Sequence, residues 1–579
     1  MKNQEIARIF AEMADILEIK GDNPFKIRAY RRAALNMEGL SKGVDDLSRE
    51  ELLEIPGIGE ELAAKIEEYL RTGSIHAHDK LKSEVPAGLL ALLTIPGLGP
   101  KTAKLLLDKL GVTTIEELEQ AASEHRLTGI PGIREKTEEN ILKGIAAVKR
   151  GHERHPLGRM LPAAMELVEE LKKRARVERI EIAGSIRRRK ETIKDIDIVA
   201  TSADPAGVMA AFIALPQVEE IVMHGPTRSS VRIREGVQVD LRVVEPESFG
   251  AALAYLTGSK GHNIRLREMA VKQGLKINEY GIFREKDDRR LGGEEEEDIY
   301  RLLRLPFIPP ELREDLGEIE AALEGKLPRL ITMDDIRGDL HVHSKWSDGA
   351  HTIAEVAAAA RERGLAYLAL TDHSKGLGVA HGLTVERVKE QRKEIEAFNK
   401  NQRGFRVLHG TEMDIRGDGS LDFPDEVLKE LDVVVASIHS GFRQSREQIT
   451  ARIVAAMRNP YVSIIAHPTG RLLGERDAYE VNMEELLRVA KETGTALEIN
   501  TYPFRLDLND THARQAKELG VPLVINTDTH VISQFDTLPY GVSVARRGWL
   551  EKGDVLNTLE LPELVKRLGV KRKRAGKIS

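Results

Sequence analysis

The sequence predicts a multidomain protein with a helical N-terminal third, a central α/β domain carrying a smaller α+β subdomain, and a C-terminal distorted (β/α)7 barrel. A Pro-Gly turn recurs ahead of helical patterns in the first quarter of the chain, which predicts paired helices. Two apolar, β-branched segments, residues 193–199 and 237–244, predict neighbouring strands of one sheet. From Arg337 onward strand-like and helical patterns alternate, as is typical of a parallel barrel.

Composition sets limits on the function. The chain has 579 residues, 41% hydrophobic and 31% charged, and a net charge of −6, which does not by itself indicate a nucleic-acid binder. No apolar run approaches the ~18 residues of a membrane helix, and the start at Met1 lacks the regions of a signal peptide. We therefore expect a cytoplasmic protein with no membrane partner. The absence of cysteine excludes disulfides, thiolate metal sites and a cysteine nucleophile.

A short unit recurs in the N-terminal third, at residues 55–59, 95–99 and 130–134. Proline and glycine impose a tight turn, and the helix that follows exposes unpaired N–H groups at its start. Such a geometry binds a nucleic-acid phosphate without reading bases. In the third copy Arg134 replaces the second glycine, so we expect that copy to be structural. The residues predicted to contact DNA are Gly57, Gly59, Gly97 and Gly99.

Three aspartates mark the central sheet. Asp195 and Asp197 are two residues apart in one predicted strand, so their carboxylates share a face. Asp240 lies in the second predicted strand. Three carboxylates on neighbouring strands suit two Mg²⁺ or Mn²⁺ ions that hold a triphosphate against an attacking hydroxyl. A lone Asp-x-Asp motif recurs by chance, so the interpretation depends on its surroundings.

Those surroundings include an anion site. Gly184 and Ser185 follow a short apolar run and predict a strand-to-helix turn, which offers N–H groups and a hydroxyl to phosphate oxygens. Arg187 and Arg188 add positive charge for the outer phosphates. A carboxylate metal site beside an anion site indicates nucleotidyl transfer.

The sequence of the C-terminal half predicts seven strands, and polar residues lie at or near the ends of most of these strands. The strands are predicted at residues 339–343, 366–373, 406–412, 433–439, 462–467, 496–500 and 523–530. The carboxyl ends of barrel strands meet at one rim, where active sites gather. Six histidines and three acids at that rim suit two or three Zn²⁺, Mn²⁺ or Fe ions. The predicted ligands are His341, His343, Asp348, His373, Glu412, His439, His467, Asp528 and His530.

The segment Tyr255-Leu256-Thr257-Gly258-Ser259-Lys260, followed by Asn263 and Arg267, completes a pattern with the turn and the aspartates. In this the chain resembles bacterial-type family X DNA polymerases, which share the core of DNA polymerase beta. The resemblance implies that Asp195 and Asp197 bind both metals and that Asp240 activates the primer 3′-hydroxyl. Further implied contacts with the incoming dNTP and the DNA involve Gly184, Ser185, Arg188, Tyr255, Gly258, Asn263 and Arg267, with Arg267 touching the template strand.

The resemblance extends to the N-terminus. Residues 1–80 are similar to the small domain that, in relatives, removes a deoxyribose phosphate through a lysine Schiff base. Lys65 matches the position of that lysine, which implies a deoxyribose-phosphate lyase. The chain departs from the family at Glu61, where relatives often carry a basic residue. The alternative, that Lys65 is a DNA-facing or solvated helix lysine, stays equally open.

The nine ligands stand in the segments His341-Val342-His343, Thr371-Asp372-His373, Ala466-His467-Pro468 and Asp528-Thr529-His530, with Asp348, Glu412 and His439 between them. These segments resemble the PHP (polymerase and histidinol phosphatase) domain family. The resemblance implies metal-dependent phosphoester hydrolysis at the 3′ side of DNA, as a 3′–5′ exonuclease, a 3′-phosphatase or an abasic-site endonuclease.

Six segments follow from these resemblances. They are a lyase-like helix-hairpin-helix domain (1–80), a helix-hairpin-helix DNA-binding subdomain (81–153), a nucleotidyltransferase palm (154–245), a thumb-like nucleotide-selecting subdomain (246–322), a linker (323–336) and the PHP domain (337–579).

The preferred interpretation is a monomeric DNA-directed DNA polymerase that fills short gaps in base excision repair, with gapped or primer-template DNA and dNTPs as partners. In it the PHP domain trims or cleans 3′ ends. One alternative makes the PHP domain a structural, DNA-binding scaffold. Two others make the chain a small-molecule phosphatase of histidinol phosphatase type or a nucleotidyltransferase acting on RNA or small molecules.

Overall fold

The computed structural model describes residues 2–38, 44–55, 57–95, 97–130, 133–149 and 154–575. The chain forms two compact units, one comprising Met1–Glu153 with Gly474–Arg476 and the other Arg154–Leu473 with Asp477–Ser579. Among the helices of the described residues, none is both long enough and apolar enough to span a bilayer.

The first unit is helical. Its two apolar cores are separate, one built around Phe10, Tyr30 and Ile66 and the other around Leu89 and Leu106. The helices are α1 Lys2–Lys20, α2 Pro24–Glu38, α3 Arg49–Glu54, α4 Glu60–Thr72, α5 His76–Ser83, α6 Ala87–Leu92, α7 Pro100–Leu110, α8 Ile115–Ser123 and α9 Glu135–Lys149.

The recurring turns lie where the sequence predicts them. Gly57 and Gly97 have φ of +82° and +81°, a region that favours glycine. Helices α4 and α7 begin directly after Gly59 and Gly99, and α9 begins after Arg134. The prediction of helical hairpins is thus confirmed. The remaining turn residues, Pro56, Pro96, Pro131 and Gly132, lie outside the described residues.

The second unit begins with a five-stranded sheet in the order β2-β4-β7-β6-β5. Strands β4 and β7 pair in parallel, while the other neighbours are antiparallel. Residues of α10 and α12 pack with the sheet in one apolar core. The elements are β1 His155–Pro156, α10 Leu157–Arg174, β2 Arg179–Ile182, α11 Gly184–Arg187, β3 Thr192–Ile193, β4 Asp195–Thr201, α12 Pro205–Ile213, β5 Val218–His224, β6 Arg228–Ile233 and β7 Gln238–Val243.

A smaller α+β subdomain follows, with a three-stranded antiparallel sheet in the order β10-β9-β8. Its elements are α13 Phe249–Thr257, α14 Lys260–Lys272, β8 Leu275–Asn278, β9 Gly281–Arg284, β10 Arg290–Gly292, α15 Glu297–Leu302 and α16 Glu318–Leu323. Helix α13 packs on β4, because Phe249, Ala252 and Leu253 share an apolar cluster with Val199 and Ala183.

The C-terminal region is a seven-stranded parallel barrel, which confirms the predicted fold. It closes where His343 N–H donates to the Thr529 carbonyl, 2.8 Å away. Its elements are β11 Gly338–Val342, α17 Ile353–Glu362, β12 Tyr367–Leu370, α18 Val385–Lys400, β13 Arg406–Asp414, α19 Asp425–Leu428, β14 Val433–Ser437, α20 Arg446–Arg458, β15 Ile464–Ile465, α21 Met483–Thr493, β16 Ala496–Asn500, α22 Asp510–Leu519, β17 Leu523–Asn526, α23 Leu538–Arg547 and α24 Leu561–Ala575.

A buried ion cluster joins the five-stranded sheet region to the α+β subdomain. Arg187 donates two hydrogen bonds of 2.7 Å to Glu296, and the buried Arg313 donates a third of 2.5 Å. Burial by itself raises the pKa of Glu296, but the two guanidinium groups lower it to about 2. Glu296 is therefore ionised at neutral pH and compensates two partly or fully buried cations.

Replacing Glu296 with alanine should lower the free energy of unfolding by about 3–5 kcal/mol, because the buried Arg313 loses its counter-charge. Calorimetry of the full chain measures this. Glu295→Ala is the matched control, since Glu295 is 56% exposed and pairs with Arg179 at the surface. That control should change stability by less than about 1 kcal/mol. Equal destabilisation by both substitutions would contradict the importance of the buried cluster.

Candidate functional sites

The parallel pairing of β4 with β7 brings the three aspartates together. Asp197 lies directly opposite Asp240, and Asp195 lies opposite Gln238. Residues that alternate with them, including Ile196 and Val239, are buried in the apolar core on the other face. The period of two therefore places all three carboxylates on one face, as the sequence predicts.

The three carboxylates repel one another. Burial raises the pKa of Asp197 to about 7, and the negative charges of Asp195 and Asp240 add to the increase. Asp240 is held by two donors: the Ser230 hydroxyl and the Gln238 amide at 3.0 Å. Crowded carboxylate oxygens are the donor set that divalent cations such as Mg²⁺ prefer. The residues of this site therefore fit hard divalent cations.

The turn at Gly184 lies against Asp197. Gly184 has φ of +66°, and a Cβ atom there would lie 2.6 Å from a carboxylate oxygen of Asp197. The Ala183 N–H also donates to the Asp197 carbonyl at 2.8 Å. Glycine is therefore required on both conformational and steric grounds. Ser185 follows in the first turn of α11.

The two arginines of the turn have different partners. Arg187 is engaged by Glu296 and by the Thr257 hydroxyl at 2.8 Å, which makes it part of the subdomain junction. The expectation that both arginines serve phosphates is thus unsupported for Arg187. Arg188 donates from Nε to Glu314 at 3.0 Å and also to the Thr257 carbonyl. Its side chain is 13% exposed.

The remaining residues predicted at this site lie on α13, on α14 or between them. A Cβ at Gly258 would lie 3.3 Å from an Arg188 nitrogen, so this glycine adjoins the turn. The Asn263 amide donates to the Tyr255 carbonyl at 2.8 Å. Arg267 Nε donates to the backbone carbonyl of Asn263, one helical turn earlier, at 3.3 Å. The Tyr255 ring is 38% exposed.

All nine predicted ligands of the barrel converge at one rim, around Glu412. Five imidazoles have a nitrogen 2.9–3.5 Å from its carboxylate oxygens: His341, His343, His373, His439 and His467. Asp348 lies 3.4 Å from His530, and Asp528 lies 3.2 Å from His343. The side chain of Glu412 is 1% exposed.

Within the described residues eight of these ligands form three overlapping groups, each of the size of one metal site, and His467 lies beside them, 3.1 Å from Glu412. The groups are His343, Asp348, His373 and His530; His341, His343, Glu412 and Asp528; and His373, Glu412 and His439.

The protonation state of His343 supports metal binding by the two groups to which it belongs. Burial, together with His530 and His373, lowers the pKa of His343 to about 3. Both ring nitrogens of His343 are buried and make no hydrogen bond. A neutral imidazole offers one nitrogen lone pair to a metal, and imidazoles mixed with carboxylates are the donor set of Zn²⁺, Mn²⁺ and Fe sites.

Three acids outside the predicted set hold the ligands in place. Glu498 is fully buried; it contacts His341 Nδ1 at 2.8 Å and accepts from the His467 N–H at 2.8 Å. Asp372 accepts from the Ser344 N–H at 2.9 Å and so orders the loop that carries Asp348. Asp414 lies 3.4 Å from His439 Nδ1. Such contacts orient ligand imidazoles. The sequence signal for Glu498 is that it is a charged residue within the apolar run of β16, where an acid requires a polar partner.

Arg505 is a further rim residue that the sequence did not predict. It lies in the loop after β16, at the same rim. Burial lowers the pKa of His467, and the charge of Arg505 lowers it further. Its buried Nε has no hydrogen-bond partner, and no ion pair involves its guanidinium in the part of the chain that the structure describes. This arginine adds positive charge beside the ligand cluster.

Lys65 lies on α4 in the first unit, where its side chain is 12% exposed. Its ammonium group donates to Glu61 at 2.6 Å and lies 5.9 Å from the centre of the Tyr30 ring. The Tyr30 hydroxyl donates to the same carboxylate at 3.5 Å. The lysine, the acid and the phenol therefore form one small polar cluster.

Family profiles match four parts of the chain. A helix-hairpin-helix domain matches residues 1–75, and a SAM-like helix-hairpin-helix tandem matches residues 89–147. The DNA polymerase beta thumb matches residues 252–314. The PHP domain matches residues 339–502.

One relative matches nearly the whole chain. The DNA polymerase/3′-5′ exonuclease PolX of Bacillus subtilis is 41% identical over 97% of this chain and 99% of its own length. A probable phosphatase of Thermoanaerobacter sp. is 32% identical over 38% of this chain and 89% of its own length. A probable phosphatase of Clostridium novyi is 32% identical over 34% of this chain and 82% of its own length. The chain belongs to the family X DNA polymerases that carry a C-terminal PHP domain.

Glu412 belongs to two of the three ligand groups of the barrel, whereas His439 belongs to one. Replacing Glu412 with alanine should therefore leave about one-third of the bound metal, and His439→Ala about two-thirds. Metal content of the purified full-length chain, determined by mass spectrometry, measures both. Equal losses in the two variants would contradict the central position of Glu412 in metal binding.

Proposed function

We propose that this protein is a DNA-directed DNA polymerase that fills short gaps during DNA repair, and that its barrel is a metal-dependent 3′–5′ exonuclease. One observation carries the proposal: a paired-strand aspartate site and a nine-ligand barrel rim occur in a chain that aligns along its length with a polymerase/exonuclease. The first site suits phosphoryl transfer to a hydroxyl, and the second suits hydrolysis of a phosphoester.

In the polymerase reaction Asp195 and Asp197 would hold two Mg²⁺ or Mn²⁺ ions, with Asp240 as a third ligand. The ions, when bound, would neutralise the triphosphate and favour ionisation of the primer 3′-hydroxyl. Asp240 is suited to take the hydroxyl proton, because Ser230 and Gln238 orient its carboxylate. As the 3′-oxygen bonds to the α-phosphorus of the dNTP, pyrophosphate leaves.

The triphosphate would lie against the turn. Gly184 and Ser185 supply backbone N–H groups and a hydroxyl, and Arg188 supplies a guanidinium for the leaving phosphates. Tyr255, Gly258 and Asn263 would contact the sugar and the minor-groove edge of the new base pair, and Arg267 the template strand.

The helical first unit would hold the DNA by its backbone. Gly57, Gly59, Gly97 and Gly99 let a phosphate approach the N–H groups at the starts of α4 and α7. These contacts carry no sequence information, which suits a repair enzyme. Both reactions need one chain only, so we propose that the protein acts as a monomer. We propose a cytoplasmic location because its substrate would be chromosomal DNA.

At the barrel rim the nine ligands would hold two or three Zn²⁺, Mn²⁺ or Fe ions, which would activate water and polarise the phosphoester. Glu412 would be shared between ions, and Glu498 would fix the orientation of His341. The 3′-terminal nucleotide is the substrate that the polymerase reaction creates, which favours exonuclease action. A purely structural scaffold would have no need of nine ligands that converge around one buried carboxylate, that of Glu412.

The two reactions should be separable by mutation. Asp240→Asn keeps the size of the side chain but removes its charge and basicity, so primer extension on gapped DNA should fall by about 10²–10⁴-fold. His341→Ala combined with His343→Ala should lower 3′–5′ exonuclease activity by at least about a hundredfold.

Each variant is the control for the other. Asp240→Asn should retain trimming of a labelled 3′ end, and the double histidine variant should retain primer extension. Unchanged trimming after removal of both histidines would favour the scaffold alternative. Template-independent addition that survives Asp240→Asn would refute the assignment of the aspartate site.

We further propose that Lys65 forms a Schiff base with a 5′-deoxyribose phosphate. The amine would condense with the C1′ aldehyde and release water, after which β-elimination frees the phosphate-bearing end. Glu61, 2.6 Å from the Lys65 ammonium, would orient the amine, which must lose its proton before it attacks the aldehyde. At this position, where relatives often carry a basic residue, Glu61 accepts hydrogen bonds from both Lys65 and Tyr30.

Borohydride trapping on DNA with a 5′-deoxyribose phosphate tests this role. Lys65→Ala should abolish the trapped adduct, because Lys65 is the amine that donates to Glu61 in this cluster. Lys101→Ala, which alters a lysine of the same unit that is 87% exposed, should trap normally. Persistence of the adduct in Lys65→Ala would assign the lyase chemistry elsewhere.

A further inference from the structure

Helix α23 of the barrel lies against the polymerase region of the same compact unit. The Tyr540 ring packs against both the barrel core and the core of the five-stranded sheet. At the end of the helix Arg546 donates to Glu311 at 2.7 Å, and Arg547 donates to Glu314 at 2.9 Å. Two successive arginines of the barrel thus bind the segment that ends the nucleotide-selecting subdomain.

Arg547 connects three parts of the unit. One terminal nitrogen donates both to Glu314 and to the backbone carbonyl of Arg188, the latter at 2.7 Å. Its Nε donates to Asp510 of the barrel at 2.8 Å. The Arg547 side chain is only 4% exposed. A buried barrel residue therefore contacts the turn that the proposed function assigns to the triphosphate.

Glu314 lies between Arg547 and the Arg188 guanidinium. It accepts from Arg188 Nε at 3.0 Å and lies 3.9 Å from the Lys190 ammonium. Burial by itself raises the pKa of Glu314, but Arg547, Arg188 and Lys190 together hold it below its usual value. Glu314 is therefore a charged carboxylate that pairs both with Arg188, which it orients, and with Arg547 of the barrel.

Two physical consequences follow. If Glu314 is neutralised, the Arg188 guanidinium loses the ion pair that orients it. If Arg547 is removed, the whole charge of Glu314 acts on Arg188 and Lys190, and a phosphate must then compete with a stronger internal ion pair. In either case binding of the triphosphate weakens.

We propose that Arg547 is a positioning residue of the polymerase site: through Glu314 and the Arg188 carbonyl, the barrel sets the orientation of Arg188 and hence the affinity for the dNTP. This inference rests on the proposed role of Arg188 in holding the triphosphate. It makes the barrel part of the synthetic reaction, independently of its own hydrolytic chemistry.

Steady-state primer extension by the full chain tests the inference. Arg547→Gln and Glu314→Gln should each raise KM for the dNTP about tenfold with kcat within about twofold, since ground-state binding is weakened. Arg547→Lys, which keeps the charge but contacts fewer acceptors, should fall between these variants and the wild type. Melting temperature and 3′–5′ trimming of the same preparations report on the integrity of the barrel.

Glu311→Gln is the matched control. It removes an ion pair between the same helix and the same segment, but that pair does not reach Arg188. Its KM for the dNTP should equal that of the wild type. A KM for Arg547→Gln no higher than that of Glu311→Gln would overturn the positioning role.

A double mutant separates this inference from the function on which it rests. If Arg547 acts through Arg188, then Arg188→Ala with Arg547→Gln should have the KM of Arg188→Ala alone. Multiplied effects would show independent action and overturn the inference. An unchanged KM in Arg188→Ala itself would instead refute the triphosphate role of Arg188. A raised KM in Arg188→Ala with a normal KM in Arg547→Gln would refute the positioning role only.

Discussion

Both candidate sites depend on parallel strand pairing, because that pairing fixes which side chains lie together at the end of a sheet. In the central sheet the β4–β7 register sets Asp197 opposite Asp240. In the barrel the carboxyl ends of seven parallel strands form the rim at which nine ligands meet. Backbone hydrogen bonds between the strands fix these positions, so ionisable side chains lie close together even where, as in the aspartate site, they repel one another. Apolar residues such as Ile196 and Val239, on the opposite face, are buried in the core that holds the strands in place.

The two sites differ in donor chemistry, and that difference follows from the residues on those strands. The aspartate site offers only hard oxygen donors. Burial, followed by the charges of Asp195 and Asp240, raises the pKa of Asp197 to about 7. The barrel rim mixes imidazoles with carboxylates, and Glu412 lies within reach of five of the imidazoles. Hard cations suit the first set, whereas transition metals suit the second. One chain can therefore carry transfer and hydrolysis at separate metal centres.

Buried ion clusters connect the regions that carry these sites. Glu296 binds Arg187 and Arg313 at the junction of the sheet with the α+β subdomain. Glu314 binds Arg188 and Arg547, which joins the same turn to the barrel. Adjacent arginines of one short turn are thus committed to different partners. With separate partners, the turn that we propose to hold the triphosphate can also be a structural junction, and Glu314 connects it to the barrel.

The sequence by itself determined the features that are local along the chain. Strand periodicity placed the three aspartates on one face, and the Pro-Gly turns predicted the hairpins. Strand-end positions predicted nine barrel ligands, and the structure brings these nine side chains together. Only the tertiary structure decided the partners of Arg187 and Arg188, the support of His341 by Glu498, and the reach of Arg547 to a carbonyl 359 positions away. The physical reason is that periodicity reports on hydrogen bonding and burial among near neighbours. The choice of a buried ion pair depends on which distant helices pack together.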